Sequence, residues 1–115
     1  MNIYNKSTLI QFWLKHAIAK KHLELWYNDV AAQKWKGPNE VKKDYVTASI
    51  INNSRVVFNI KGNDFRLVAD INYQRGWLFV KFIGTHAEYD RINVASVNLY
   101  EKKKKKKPAK PKKKK

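Results

Sequence analysis

The chain has 115 residues, no cysteine and a formal charge of +16, from 25 Lys and Arg against nine Asp and Glu. That length suits one domain with a modest core, and the lack of cysteine excludes both a disulfide framework and a thiolate zinc site. Eleven lysines lie in residues 102–115, which leaves only +5 for the preceding 101 residues. Mutual repulsion, two prolines and the lack of any apolar side chain larger than Ala109 oppose packing there. Residues 1–100 are therefore expected to be the folding unit, and 101–115 a disordered poly-lysine tail, either simply solvated or attracted to nucleic acid or the ribosome. An anionic membrane surface is a weaker alternative. Lys6, Lys15, His16, Lys20 and Lys21 interrupt any N-terminal apolar core, and no run approaches the ~20 apolar residues of a membrane span. The expected location is cytoplasmic.

In chain order, residues 2–4 predict a short strand that leads into a helix. Thr8 followed by Gln11 resembles a capping box, and Leu9, Phe12, Trp13 and Ala17 fall at helical spacing. A first helix should end near residues 16–19. Leu23, Trp26, Tyr27, Val30 and Ala31 predict a second helix of about 15 residues with Glu24 and Asn28 outside. Trp13 and Trp26 are read as core, because large aromatics supply much of the burial in a small domain. Lys36-Gly37-Pro38 closes that helix, a single helical turn at 38–41 can follow, and residues 48–53 bring the chain to a sheet.

Residues 56–60, 65–73 and 77–83 are β-forming runs separated by Gly62-Asn63 and Gln74-Arg75-Gly76, the pattern of an antiparallel meander. A two-residue turn at Gly62-Asn63 sets Asn59 opposite Arg66. It also places Asn59, Lys61, Asp64 and Arg66 on one face and Val56, Phe58, Ile60, Phe65, Leu67 and Ile71 on the other. A three-residue turn at 74–76 sets Arg66 opposite Gly84, so Asn59, Arg66 and His86 approach one corner. The third run is apolar on both parities, which predicts an interior strand or a surface covered by a partner. Residues 85–90 should form a turn or short helix, with His86 and Tyr89 or Asp90 on one side. Residues 93–100 alternate as a final strand would, or form a docking segment.

Arg66 can grip a phosphate through its planar fork, or serve as an ordinary surface cation paired with Asp64 or Asp70. Lys61 and Arg91 can add positive potential. His86 can exchange a proton near neutrality, although a lone histidine is usually not catalytic. Tyr89 can hydrogen-bond a phosphate, stack on a base or be purely structural. His16, His22 and His86 share no metal-ligand spacing, and Gly62-Asn63 is a turn without a phosphate-loop pattern.

The stretch RVVFNIKGNDFRLVADINYQRGWLFVKFIGTHAEYD resembles the bacterial HigB toxin family of the RelE/ParE superfamily. FWLKH, LWYND and KWKGPNEVKKDY are similar to that family's N-terminal half, so the resemblance covers roughly residues 1–95. It implies an α+β protein with a RelE-like microbial ribonuclease fold, N-terminal helices packed on an antiparallel sheet, and no cofactor or metal. The implied activity is that of a type II toxin, a ribosome-dependent endoribonuclease that cuts translated mRNA. The implied partners are a HigA-like helix-turn-helix antitoxin, the ribosome with its mRNA, and operator DNA only through the antitoxin complex, with no membrane. The third strand and N-terminal helices are candidates for the antitoxin interface. Residue by residue, Asn59, Lys61 and Asn63 match the strand and turn lining the substrate face, and Arg66 the phosphate contact. His86 and Tyr89 fall in the catalytic segment, with Asp90 as a possible orienting group. Two other readings stay open: a nonhydrolytic RNA- or ribosome-binding module and, less favoured, a gyrase-inhibiting toxin.

The charge partition makes one prediction. If the tail drives encounter with RNA, removing residues 102–115 should weaken ribosome binding and flatten its dependence on salt, since each phosphate contact contributes about one unit of slope. Equal affinity and slope with and without these residues would mark the tail as idle.

Overall fold

A computed structural model describes residues 1–99; the expected disordered tail lies outside the described residues. In chain order the elements are β1 (Asn2–Tyr4), α1 (Lys6–Lys15), a 3-10 turn (Ala17–Ala19), α2 (Lys20–Ala31), α3 (Pro38–Asp44), β2 (Ser49–Ile50), β3 (Arg55–Ile60), β4 (Phe65–Asn72), β5 (Trp77–Thr85) and α4 (His86–Tyr89). The strands form one sheet in the order β1-β5-β4-β3-β2. The meander β3–β5 is antiparallel as expected, β2 adds an antiparallel edge strand that the sequence did not suggest, and the sheet as a whole is mixed because β1 runs parallel to β5. A parallel pair requires a long connection, and here the helices together with β2–β4 lie between β1 and β5.

The first helix starts earlier than the Thr8–Gln11 pattern suggests. Asn5 occupies the N-cap position with φ 74°, a left-handed conformation that asparagine tolerates better than most residues, and no side-chain cap bond forms. Thr8 is the third helical residue, and its amide donates to the Asn5 carbonyl at 3.0 Å. Pro38 is well suited to open α3, since its missing N–H would have no helical partner at that position. That helix runs seven residues instead of the single expected turn.

The helices cover one face of the sheet. Leu9, Leu23, Trp26, Val30, Trp35 and Val41 are buried against Val56, Phe58, Ile60, Phe65, Leu67, Ile71, Leu78 and Val80. Each such apolar side chain contributes roughly 1.5–3 kcal/mol of burial free energy. Phe58 is the hub, with ring centroids of Tyr45, Trp26 and Trp35 at 5.2, 5.4 and 6.3 Å. Two polar tips at this layer are satisfied by carboxylates: Trp35 Nε1 donates to Asp44 at 2.8 Å, and the Tyr45 hydroxyl donates to Asp29. Burial, then the Asp29 hydrogen bond, pushes the Tyr45 phenol well above its usual range. Trp26 is core as expected, whereas Trp13 is half-buried and packs at the edge of the cluster.

The opposite face carries a second, smaller core. Val57, Val68 and Phe82 are covered by Ile51, Tyr89, Ile92, Val94, Val97 and Leu99. The alternating pattern after residue 93 therefore does not make a final strand. Asn93 bends the chain instead: its side-chain oxygen accepts from the Ala95 amide at 3.1 Å, and its carbonyl accepts from the Ser96 and Val97 amides. Asparagine's ability to hydrogen-bond local backbone overrides the alternation.

Arg55 fastens this segment down. Its side chain is 7% exposed, with Nε and Nη2 donating to the two oxygens of Asp70 at 2.6 and 2.8 Å. Its Nη1 donates to the carbonyls of Val94 and Val97 at 3.1 and 2.9 Å. No helix among the described residues is long and apolar enough to cross a membrane.

Breaking a buried, forked ion pair leaves an unpaired charge and costs about 3–5 kcal/mol. Arg55→Ala should therefore lower the thermal midpoint by roughly 12–40 °C, at about 4–8 °C per kcal/mol for a domain of this size, and Arg55→Lys should restore only part of it. A shift of the size seen for an exposed pair, below about 1 kcal/mol, would contradict this role in calorimetry.

Candidate active site

Two turns and one bulge assemble the corner. At the β3–β4 turn the Asp64 amide donates to the Lys61 carbonyl at 3.1 Å, and Lys61 and Gly62 take φ values of 52° and 61°. Glycine adopts that region freely, whereas for Lys61 it costs about 1–2 kcal/mol. Asn59 pairs with Arg66 as expected, and Arg66 pairs with Gly84. The second pairing arises differently from the expectation. Asn72 pairs with Trp77, so the turn spans four residues, 73–76, instead of three. The ladder then shifts by one residue between Val68 and Ala69, opposite an extra residue at Lys81. The bulge cancels the longer turn.

Gly84 has no room for a side chain. A Cβ there would sit 2.6 Å from Phe82 Cζ and 2.8 Å from Glu88 Oε1. Glu88 is committed at that point: its carboxylate accepts from the Thr85 amide at 2.8 Å while Thr85 Oγ1 accepts from the Glu88 amide at 3.2 Å. This capping box starts α4, and the His86 amide donates to the Asp64 carbonyl at 3.1 Å, tying α4 to the β3–β4 turn.

Arg66 lies half-buried on the sheet face opposite the helices. Nη1 donates to the Asn63 carbonyl at 3.0 Å, and the guanidinium carbon stands 5.7 Å from the Tyr89 ring centroid. Such a cation–π contact is worth about 0.5–1 kcal/mol at an exposed site. Neither carboxylate considered as its partner pairs with it. Asp64 pairs with Lys61 at 2.9 Å and Asp70 with Arg55. Among the described residues Arg66 forms no ion pair, so its charge stays open to an anion.

His86 and Asp90 face each other one helical turn apart, with Nδ1 3.1 Å from Asp90 Oδ2. When Nδ1 carries the proton and donates to Asp90, the Nε2 lone pair is free to accept one. Lys61 and Asp64 are both substantially exposed, and a pair of this kind is worth at most ~1 kcal/mol, so Lys61 can be recruited by a competing phosphate. Asn59 is used otherwise: its Nδ2 donates to the Thr47 carbonyl at 3.3 Å.

Thus Asn63, Arg66 and Tyr89 touch directly, His86 and Asp90 form a neighbouring pair, and Lys61 borders them. No hydrogen bond or ion pair joins Arg66 to His86 among the described residues. Nor does any group of three or more His, Cys, Asp or Glu among them stand ready to hold a metal ion. The supporting residues Arg55, Asp70, Thr85 and Glu88 were missed in the sequence. Thr85-His86-Ala87-Glu88 is itself a capping-box signature, placed directly after a strand.

Gly84→Ala should disturb both Phe82 and the capping box, lowering the thermal midpoint and loosening α4 together. An unchanged midpoint and unchanged exchange protection at the Glu88 amide would show that the corner tolerates a methyl group.

A family model described as HigB_toxin, RelE-like toxic component of a toxin-antitoxin system, matches residues 19–92. Among curated proteins none matches the sequence significantly. The family match spans more than half of the chain and takes in α2, the whole meander and α4, and helices on one face of a mixed sheet agree with a RelE-like α+β architecture. The chain belongs to the HigB toxin family, RelE-like toxic components of toxin–antitoxin systems.

Proposed function

We propose that this chain is an endoribonuclease with a RelE-like microbial ribonuclease fold, which cuts translated mRNA on the ribosome and so arrests translation. A HigA-like antitoxin would hold it in check. The observation that carries this reading is the Arg66 guanidinium, half-buried, braced by Asn63 and Tyr89 and unpaired with any carboxylate among the described residues.

In the proposed reaction the ribose 2′-oxygen attacks the adjacent phosphorus, forming the O2′–P bond while the P–O5′ bond breaks. His86, oriented by Asp90, takes the 2′-hydroxyl proton through Nε2, and the departing 5′-oxygen gains a proton from Tyr89 or water. Arg66, with Lys61 released from Asp64, stabilises the charge that builds on the phosphate oxygens. The products are a 2′,3′-cyclic phosphate and a 5′-hydroxyl end. Side chains thus supply both proton transfer and charge stabilisation, so the scheme asks for no cofactor. His86 is 52% exposed at its side chain and Asp90 61%, so the corner is open. Alignment of the RNA by the ribosome would supply what an open site lacks.

The test is brief expression of the parent, His86→Ala and Arg66→Ala, followed by mapping of mRNA 5′ ends on isolated ribosomes. The parent should yield new ends in the decoding site, and each variant should lower their yield about 100-fold or more, the usual scale for losing a general base or a charge-stabilising donor. Ribosome association should survive in both. Arrest by the parent without new ends would favour a nonhydrolytic binding module instead.

A further inference from the structure

A second feature lies on the same sheet face, away from the corner. Tyr4 of β1 pairs with Phe79 of β5, and their rings stack at 5.0 Å and 17°. Trp77 meets both edge-on, with centroids 6.2 Å away. Leu78 and Val80 point into the main core, so Trp77 and Phe79 project from the opposite face. There Tyr4 is 42% exposed. The segment that covers Val57, Val68 and Phe82 packs on the neighbouring part of this face.

Cations flank the rings. The Arg75 guanidinium carbon lies 5.1 Å from the Trp77 centroid, and Lys81 Nζ lies 5.6 Å from that of Phe79. Lys81 is the extra residue of the β5 bulge, a device that re-aims a side chain. Neither cation forms an ion pair among the described residues, and the carboxylate paired across from Phe79, Asp70, is bound by Arg55. If the aromatics served only to shield the edge of β1, no such positive rim would be needed.

We infer that Tyr4, Trp77 and Phe79, with Arg75 and Lys81, form a stacking platform for single-stranded RNA. The inference rests on the RNA-directed reading above and extends it to a contact remote from the cut. Base faces stack on aromatic rings without regard to sequence, while the cations follow the phosphates. Phe79 lies five residues along β5 from Gly84, roughly 16 Å at 3.3 Å per residue. The strand would therefore reach the platform several nucleotides from the scissile phosphate. An acidic protein partner could also match the positive rim, but the stacked and exposed Tyr4 favours bases.

The test is fluorescence anisotropy with the full chain and a 2′-O-methyl oligouridine of about 12 nucleotides, which lacks the attacking hydroxyl, over a range of salt concentrations. Tyr4→Ala should weaken binding about fivefold or more, the lower end for loss of one stack, whereas Tyr4→Phe should bind as the parent does. The pair Arg75→Glu and Lys81→Glu should weaken binding and reduce the salt slope by about 1.4 units, at about 0.7 for each lost phosphate contact on a single strand. Parental affinity in both Tyr4→Ala and the charge-reversed variant overturns the inference; if those variants instead lose a co-purified protein, the patch is a protein interface. The oligouridine cannot be cut, so these results stand apart from cleavage. Failure of the parent to cut mRNA while Tyr4→Ala still weakens binding would remove the nuclease reading and leave the platform.

Discussion

The Arg55 guanidinium is the contact on which the functional face depends. It begins β3, forks onto Asp70 of β4 and donates to two carbonyls of the segment after α4. Four hydrogen bonds satisfy a charge that is otherwise expensive to bury. Their effect reaches the corner through packing. With residues 94–97 held down, Ile92, Val94 and Val97 close over Val57, Val68 and Phe82, and Tyr89 is wedged beside them. The ring against which Arg66 rests is therefore fixed from the other end of the same sheet face.

Allocation of the acidic side chains matters as much as their position. The described part of the meander contains two aspartates, and each has its own cation: Asp64 takes Lys61 in an exposed pair, and Asp70 takes Arg55 in a buried one. Asp90 faces His86. Arg66 is left with a backbone carbonyl and a ring, neither of which cancels its charge. A phosphate meeting that guanidinium does not have to displace a carboxylate first.

Much of this was legible from residue types and periodicity. Gly62-Asn63 fixes the β3–β4 register, and the alternation from Val56 to Ile71 correctly separates the helix-covered face from the one bearing Asn59 and Arg66. The pairing of Arg66 with Gly84 was reached through a three-residue turn and a regular ladder, and holds because a four-residue turn and the bulge at Lys81 offset each other. A bulge has no reliable composition signal, so that agreement owed something to chance. The Asn93 turn was not legible because local hydrogen bonding outweighed apolar spacing, and α1 starts from a left-handed Asn5 with no side-chain cap bond, a start that the Thr8–Gln11 pattern does not mark. The clamp at Arg55 joins residues that are 15 to 42 positions apart, a relation no local pattern contains.

We propose that Arg66 and His86 act on a phosphate attacked by its own ribose. The most direct measurement places a single 2′-deoxynucleotide at the mapped cleavage position of an mRNA loaded on purified ribosomes and follows its cutting by the intact protein. Loss of the cut at that position alone, with cyclic phosphate and 5′-hydroxyl ends on the all-ribose control, is the predicted result. Unimpaired cutting of the 2′-deoxy message, or fragments bearing 5′-phosphates, would contradict it.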